Sequence, residues 1–166
     1  MDPYHNKKSA CNFVGLPDTG RKENVLSVTH TYRLEEQQTG GRLACIDLVV
    51  APGHGIPPHT HRIEDETFYV VEGSVEIVGD DLASPTTVQQ GGLFYGPRGK
   101  MHGFRNGGPV PARLLVFMIP GANMQHMFAA LAELTAKFGG MPAKEDVAAL
   151  CAKFDIVFAP AGEWQD

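Results

Sequence analysis

Between Val25 and Ile119 the sequence falls into eight short apolar segments separated by turn-forming residues, and this rhythm constrains the fold more than any other feature. The segments are residues 25–32, 43–50, 67–71, 74–78, 86–89, 93–95, 101–105 and 113–119. They are rich in Val, Ile, Thr, Phe and Tyr and too short for stable helices, so each reads as a β-strand. Residues 25–32 and 43–50 flank a Gln-Gln-Thr-Gly-Gly turn and read as a hairpin. Nineteen glycines and twelve prolines in 166 residues supply the turns. Many short strands with turns between them point to a sandwich, a jelly roll or a barrel.

Outside that stretch the pattern changes. Residues 1–24 carry little periodicity and several breakers, and read as an arm. After Pro120-Gly121, residues Met124, Met127, Phe128, Leu131, Leu134 and Phe138 recur at helical spacing up to Gly139-Gly140. A second helix begins after Pro142 with Val147, Leu150, Cys151 and Phe154 on one face, and a short apolar segment, 154–158, closes the pattern. Two helices this short cannot bury their stripes alone. The expected organisation is therefore an arm (1–24), an all-β domain (25–120) and a helical C-terminal appendage docked on it (121–166).

Composition removes several function classes. Nineteen acidic against fourteen basic residues give a formal charge of −5 without a basic cluster, which argues against nucleic acid as a partner. No apolar run reaches the roughly eighteen residues of a membrane span, and the N-terminus lacks the pattern of a signal peptide. Cys11, Cys45 and Cys151 are odd in number and widely spaced, so neither a disulfide framework nor a thiolate zinc site is indicated. The expectation is a cytoplasmic protein without membrane partners.

The chemistry lies in the histidines. His59 and His61 are two apart, so on a strand both imidazoles face one side. Glu66 follows after a turn and opens the segment Phe68-Tyr69-Val70-Val71, a return that can bring its carboxylate beside the pair. His102, between Met101 and Phe104, is the candidate third imidazole. Three nitrogens and one oxygen suit a first-row divalent metal. His54 reads as a rim hydrogen-bonding residue, and His5, His30 and His126 carry no signal. Glu64 and Asp65 read as solvated turn carboxylates.

Two segments carry a more specific pattern. The first is Gly53-x5-His59-x-His61-x4-Glu66-x6-Gly73, and the second is Gly91-x5-Pro97-x-Gly99-x2-His102-x3-Asn106. Together they resemble the paired motifs of the cupin superfamily, and the helical tail is similar to small single-domain cupins grouped with quercetin dioxygenase. The resemblance implies a jelly-roll barrel of two antiparallel sheets. It also implies one divalent transition metal ion, iron first with Mn, Ni, Co, Cu or Zn as alternatives, held by His59, His61, Glu66 and His102. Asn106 reads as a turn-stabilising side chain.

Asp47 interrupts an apolar strand. If its face lines the cavity, as in related cupins, Asp47 is a partly buried acid with a raised pKa suited to proton transfer, alongside Glu66; if not, it faces water. Phe68, Val70, Tyr95 and Phe104 are the candidate cavity walls. The leading expectation is a dioxygenase acting on a small aromatic or enolic compound, with O2 as co-substrate. A non-oxidative isomerase, cyclase or lyase is the second reading and a non-catalytic small-molecule binder the third. A homodimer is expected through the apolar face of Ala44, Ile46, Leu48 and Val50.

Overall fold

The computed structural model describes residues 11–26, 28–79 and 81–160, so His5 and the polar tail lie outside the described residues. The strands are β1 (Arg21–Val25), β2 (Val28–Leu34), β3 (Ala44–Val50), β4 (Gly55–His61), β5 (Asp65–Glu72), β6 (Ser74–Val78), β7 (Thr86–Gln89), β8 (Leu93–Gly96), β9 (Met101–Arg105), β10 (Ala112–Ile119) and β11 (Ile156–Phe158). Helix α1 (Glu36–Thr39) interrupts the first hairpin, and α2 (Ala122–Phe138) and α3 (Lys144–Ala152) precede β11. One sheet runs β1-β2-β3-β10-β5-β8 and the other β11-β4-β9-β6-β7, with every pairing antiparallel. This is the expected mainly β jelly roll of two sheets.

Local sequence accounts for most boundaries. The Gln-Gln-Thr-Gly-Gly turn closes as the single helical turn α1, where Glu35 and Gln38 form a capping box and Gly40 ends the turn in the left-handed region. All four motif glycines, 53, 73, 91 and 99, also have positive φ. Gly73 shows why: at φ 75° a Cβ would meet the Ala112 backbone at 3.1 Å, so a side chain there would strain the β5–β6 turn and push on β10. Strand β4 tolerates Pro57 and Pro58 because its pairing with β9 shifts register between Ile56 and His59, so missing N–H groups fall where the ladder is broken.

Two expectations change. Strand β1 comprises residues 21–24, assigned on sequence to the arm, and Val25, expected to open the next strand, and pairs residue by residue with β2 from Arg21–Tyr32 to Val25–Val28. Its pattern is masked because the strand is polar on most of its length and only Val25 is buried. The second change concerns β3. Ala44, Ile46, Leu48 and Val50, expected to face a partner subunit, point into the barrel and are buried. There they pack with Phe68, Leu114, Val116 and Met118 in one core, and each fully buried large side chain contributes about 1.5–3 kcal/mol.

Residues of both C-terminal helices pack on the barrel. Met124, Met127 and Leu131 of α2 and Cys151 of α3 join the barrel core, while the α2 stripe ends there and Phe138 is exposed. Strand β11 then adds an edge to β4 beside the HxH pair, with Ile156 opposite His61 and Phe158 opposite His59. The appendage therefore closes over the strand that carries the histidines. No helix among the described residues is long and apolar enough to cross a membrane.

Candidate metal centre

Strand register builds the site. His59 and His61 point inward from β4, and β9 places His102 directly opposite His59. Glu66, near the start of β5, sits between Gly96 of β8 and Met118 of β10, so its carboxylate reaches the histidines from the facing sheet. Two details complete the approach. Asp65 accepts from the Arg98 backbone N–H at 2.9 Å and forms an ion pair with its guanidinium at 3.0 Å, which ties the loop before His102 to the strand of Glu66. Gly96 leaves room for the ring of His102, since a Cβ there would stand 2.8 Å from Nδ1.

All four side chains are buried, and one ligand atom from each lies within 4.8 Å of the others. The Nε2 atoms of His59 and His61 are 2.9 Å apart, and Oε2 of Glu66 is 2.9 Å from His102 Nε2 and 3.2 Å from His61 Nε2. The outward nitrogens decide the tautomers. His59 Nδ1 lies 2.9 Å from the Pro57 carbonyl, His102 Nδ1 3.1 Å from the Lys100 carbonyl and His61 Nδ1 3.3 Å from Glu64 Oε2. Each of these oxygens only accepts, so each Nδ1 carries a hydrogen and each Nε2 faces the centre of the cluster. Three nitrogens converging there beside a buried carboxylate call for positive charge among them, a proton on His61 or a cation in its place. Outer acceptors that fix the imidazoles in this way are the usual support of metal-ligating histidines, and the residues present fit a divalent metal ion.

Charge follows the same logic. Burial alone would hold His61 neutral, but the carboxylates of Glu66 and Glu64 overcome it and raise the imidazole to about 9. Burial and the positive charge on His61 push His59 down to about 3. Glu66 is opposed by its own burial, yet His61 and His102 hold it far below the ordinary carboxylate range. A cluster that behaves this way draws in positive charge.

Glu64 was expected to be a solvated turn residue, and it is fully buried. Its second oxygen accepts from Asn123 Nδ2 at 2.7 Å, and the same amide donates to the Phe154 carbonyl at 2.9 Å. The chain His61–Glu64–Asn123 thus links the cluster to the first turn of α2 and the end of α3. Sequence spacing held no sign of it, because Asn123 lies 59 residues from Glu64.

The cluster opens on a cavity of about 80 Å³ inside the barrel, whose lining includes Ile46, Leu48, Phe68 and Phe104 from the sheets and Met127 and Phe128 from α2. Phe68 and Phe104 line this cavity. Val70 is fully buried in the core outside that lining, and Tyr95 is turned outward, 56% exposed. On β8, Phe94 rather than Tyr95 has the inward parity. Asp47 is also outside. It occupies the face of β3 opposite Ile46 and Leu48, where Arg113 of β10 grips both carboxylate oxygens at 2.9 and 2.6 Å. The more apolar of two apolar faces was drawn inward, and a diagonal cross-strand partner accommodates the carboxylate on the other.

Asn106 is buried and ties three backbone groups, donating to the Val50 and Val110 carbonyls and accepting from Gly108 N–H, which extends its expected role in the turn to β3. His54 is exposed and contacts only the Pro52 carbonyl through its ring. His126 is also exposed, 3.5 Å from Glu36. His30, without signal in the sequence, lines the cavity from β2. Burial pushes it down to about 4, against an opposing pull from Glu23 on the neighbouring strand. A larger hollow of about 340 Å³, bordered by Phe13, Arg21, Arg33 and Glu35, contains no residue of the cluster.

Comparison with known proteins agrees with this architecture. A cupin domain model matches residues 47–118, from β3 through β10. Protein SchB of Streptomyces halstedii is 40% identical over 72 residues, 43% of this chain and 51% of that protein. The chain thus spans about half of SchB, and between a third and a half of most other curated relatives it matches. Among solved structures, the polyketide cyclase RemF from Streptomyces resistomycificus superimposes with a TM-score of 0.55 at 27% identity, covering 66% of this chain and 79% of RemF. Germin-like protein 1-1 of Oryza sativa subsp. japonica is 33% identical over 150 residues, 87% of this chain and 68% of its own length. With the barrel matched by the cupin model and this relative matched across both barrel and tail, the chain belongs to the cupin superfamily.

Proposed function

We propose that this cupin is a metal-dependent enzyme acting on a small oxygenated aromatic or enolic compound by non-oxidative, cyclase-like chemistry. The observation that carries the reading is the cluster of three imidazoles and a carboxylate, three of whose members, His59, His61 and Glu66, open on a largely apolar cavity. His59, His61, Glu66 and His102 would hold one divalent transition metal ion, and such an ion polarises a carbonyl or enolic oxygen as a Lewis acid. The chain's own side chains do the rest. Phe68 and Phe104 bind the apolar body of the substrate and keep water from it. Glu64 holds the proton on His61 Nδ1, so that ring keeps one orientation throughout. With about 80 Å³ enclosed, against roughly 300–1,000 Å³ for ordinary ligand pockets, the roof formed by α2 has to yield when a substrate enters.

Similarity to RemF, a polyketide cyclase, favours the non-oxidative reaction. The dioxygenase reading uses the same donors, and the apolar part of the cavity lining, into which O2 would partition, supports it as the second. Elemental analysis of protein purified anaerobically, followed by incubation with poly-β-ketone, flavonol and catechol compounds under an oxygen electrode, separates them. Ring-closed product without oxygen uptake supports the proposal. Stoichiometric uptake transfers it to the dioxygenase, and binding without product to a non-catalytic role. His102→Ala is expected to lose the metal and keep the β-rich fold.

We also propose a cytoplasmic homodimer. The three cysteines are free, which suits a reducing compartment. Cross-strand register places Val49, Tyr69, Leu93, Tyr95 and Ile119 on the outer face of the six-stranded sheet, where all five are exposed. A second copy of the same face would cover them.

A further inference from the structure

We infer that His30 is a second polar anchor of the cavity, hydrogen-bonding a hydroxyl or carbonyl oxygen of the substrate at a point separate from the His59, His61, Glu66 and His102 cluster. The inference rests on the proposed reading of the cavity as a substrate site. His30 projects from β2 of the six-stranded sheet, whereas the clustered imidazoles come from β4 and β9 of the other. It is 4% exposed, and its Nδ1 is buried with no hydrogen-bond partner among the described residues. Polar groups in a native interior are nearly always paired, so an orphaned nitrogen in a ring that lines the cavity asks for a ligand, which reaches it as the α2 side carrying Phe128 yields.

The neighbours explain why nothing among the described residues answers it. Phe128 packs edge-on at 4.7 Å between ring centroids and Tyr32 at 6.3 Å, fixing the plane of the imidazole without giving Nδ1 an acceptor. The Tyr32 hydroxyl is already spent, donating to Glu23 at 2.7 Å. Opposite His30 on β3 stands Leu48, which has nothing to offer. A residue serving packing alone in this wall would be apolar, like its inward neighbour Val28. A neutral imidazole presents one donor and one acceptor, as does a hydroxyl group. The substrate class is therefore a compound with an apolar body and two oxygen functions set apart, the one at the His30 end uncharged.

The test uses phenol as probe and the full-length protein labelled with 15N-histidine, in zinc-loaded and zinc-free forms. Imidazole 1H–15N correlation spectra are expected to show the His30 nitrogens moving on phenol addition in both forms. His30→Leu is expected to weaken phenol binding by roughly fivefold to tenfold, the worth of one hydrogen bond. His30→Gln, which keeps a donor and an acceptor, is expected to recover most of that loss, an outcome a packing role would not produce. Circular dichroism checks that both variants are folded. Absence of phenol binding, unmoved His30 nitrogens at saturation, or equal affinity in His30→Leu would each overturn the inference. A His30 response in protein that fails to bind zinc would uphold the anchor and end the metal-enzyme reading. Zinc binding without a His30 response would do the reverse.

Discussion

Single residues carry the sharpest consequences. Glu64 touches no metal position, yet it fixes the tautomer of His61 and is itself held by Asn123. Glu64→Ala is expected to lower zinc affinity by about 10- to 100-fold while the fold persists, read by competition with a chromophoric chelator. His30 gives a pH prediction. Its folded-state value of about 4 lies below the ordinary 6.5, so the unfolded chain takes up the proton first as pH falls. Its contribution to stability is present above 6.5, is lost as pH drops from 6.5 towards 4 and is flat below. The Glu23 carboxylate softens the effect, and Tyr32 and Phe128, which also face the ring, carry no charge there. His30→Leu should therefore flatten the acid limb of a urea-unfolding profile, by an amount of order 2–3 kcal/mol between pH 7 and pH 4. It should also raise stability at neutral pH by about 1 kcal/mol, because a buried group lacking its hydrogen bond is removed. An unchanged acid limb would show that His30 is not buried neutral.

At the scale of elements, the site depends on strands being held in register by side chains distant from the chemistry. Asn106 is the clearest instance, since its amide joins the turn after β9 to the ends of β3 and β10. Asn106→Ala removes the side-chain partner of the buried Val50 carbonyl and of the part-buried Val110 carbonyl and Gly108 N–H, and is expected to cost about 1–3 kcal/mol in urea unfolding. Because β9 carries His102, the same variant should bind zinc more weakly in proportion to the disorder it introduces. The Arg98–Asp65 pair does the equivalent work at the other end of β9, although its greater exposure makes it worth less. Elements with a regular pattern were legible in the sequence: β5 to β10 and both C-terminal helices fall where periodicity and turn residues put them. Strand β1 was not, because a polar edge strand pairs through its backbone and leaves little hydrophobic signal.

For the whole molecule, the proposed association of two copies through the outer face of the six-stranded sheet is directly testable. Sedimentation at micromolar concentration is expected to show a dimer, and Val49→Asp with Leu93→Asp to show a monomer that retains the barrel spectrum. A monomeric wild type would refute the assembly. The face is not the one that the sequence suggested, and the reason is general. By itself the sequence determined a mainly β fold of short strands, the turn glycines and the shared face of His59 and His61, because alternation, left-handed turn positions and two-residue spacing are local properties of the chain. The jelly roll and the grouping of Glu66 and His102 with that pair followed from the resemblance to cupins. Only the tertiary structure decided which side of β3 became interior, since Ala44, Ile46, Leu48 and Val50 and the opposite set are both largely apolar. It also decided that Asp47 meets Arg113 instead of substrate, that Glu64 is buried under Asn123, and that His30 looks into the cavity. Each of these depends on a partner brought from far along the chain, and parity along a strand tells which residues share a face but not what that face will meet.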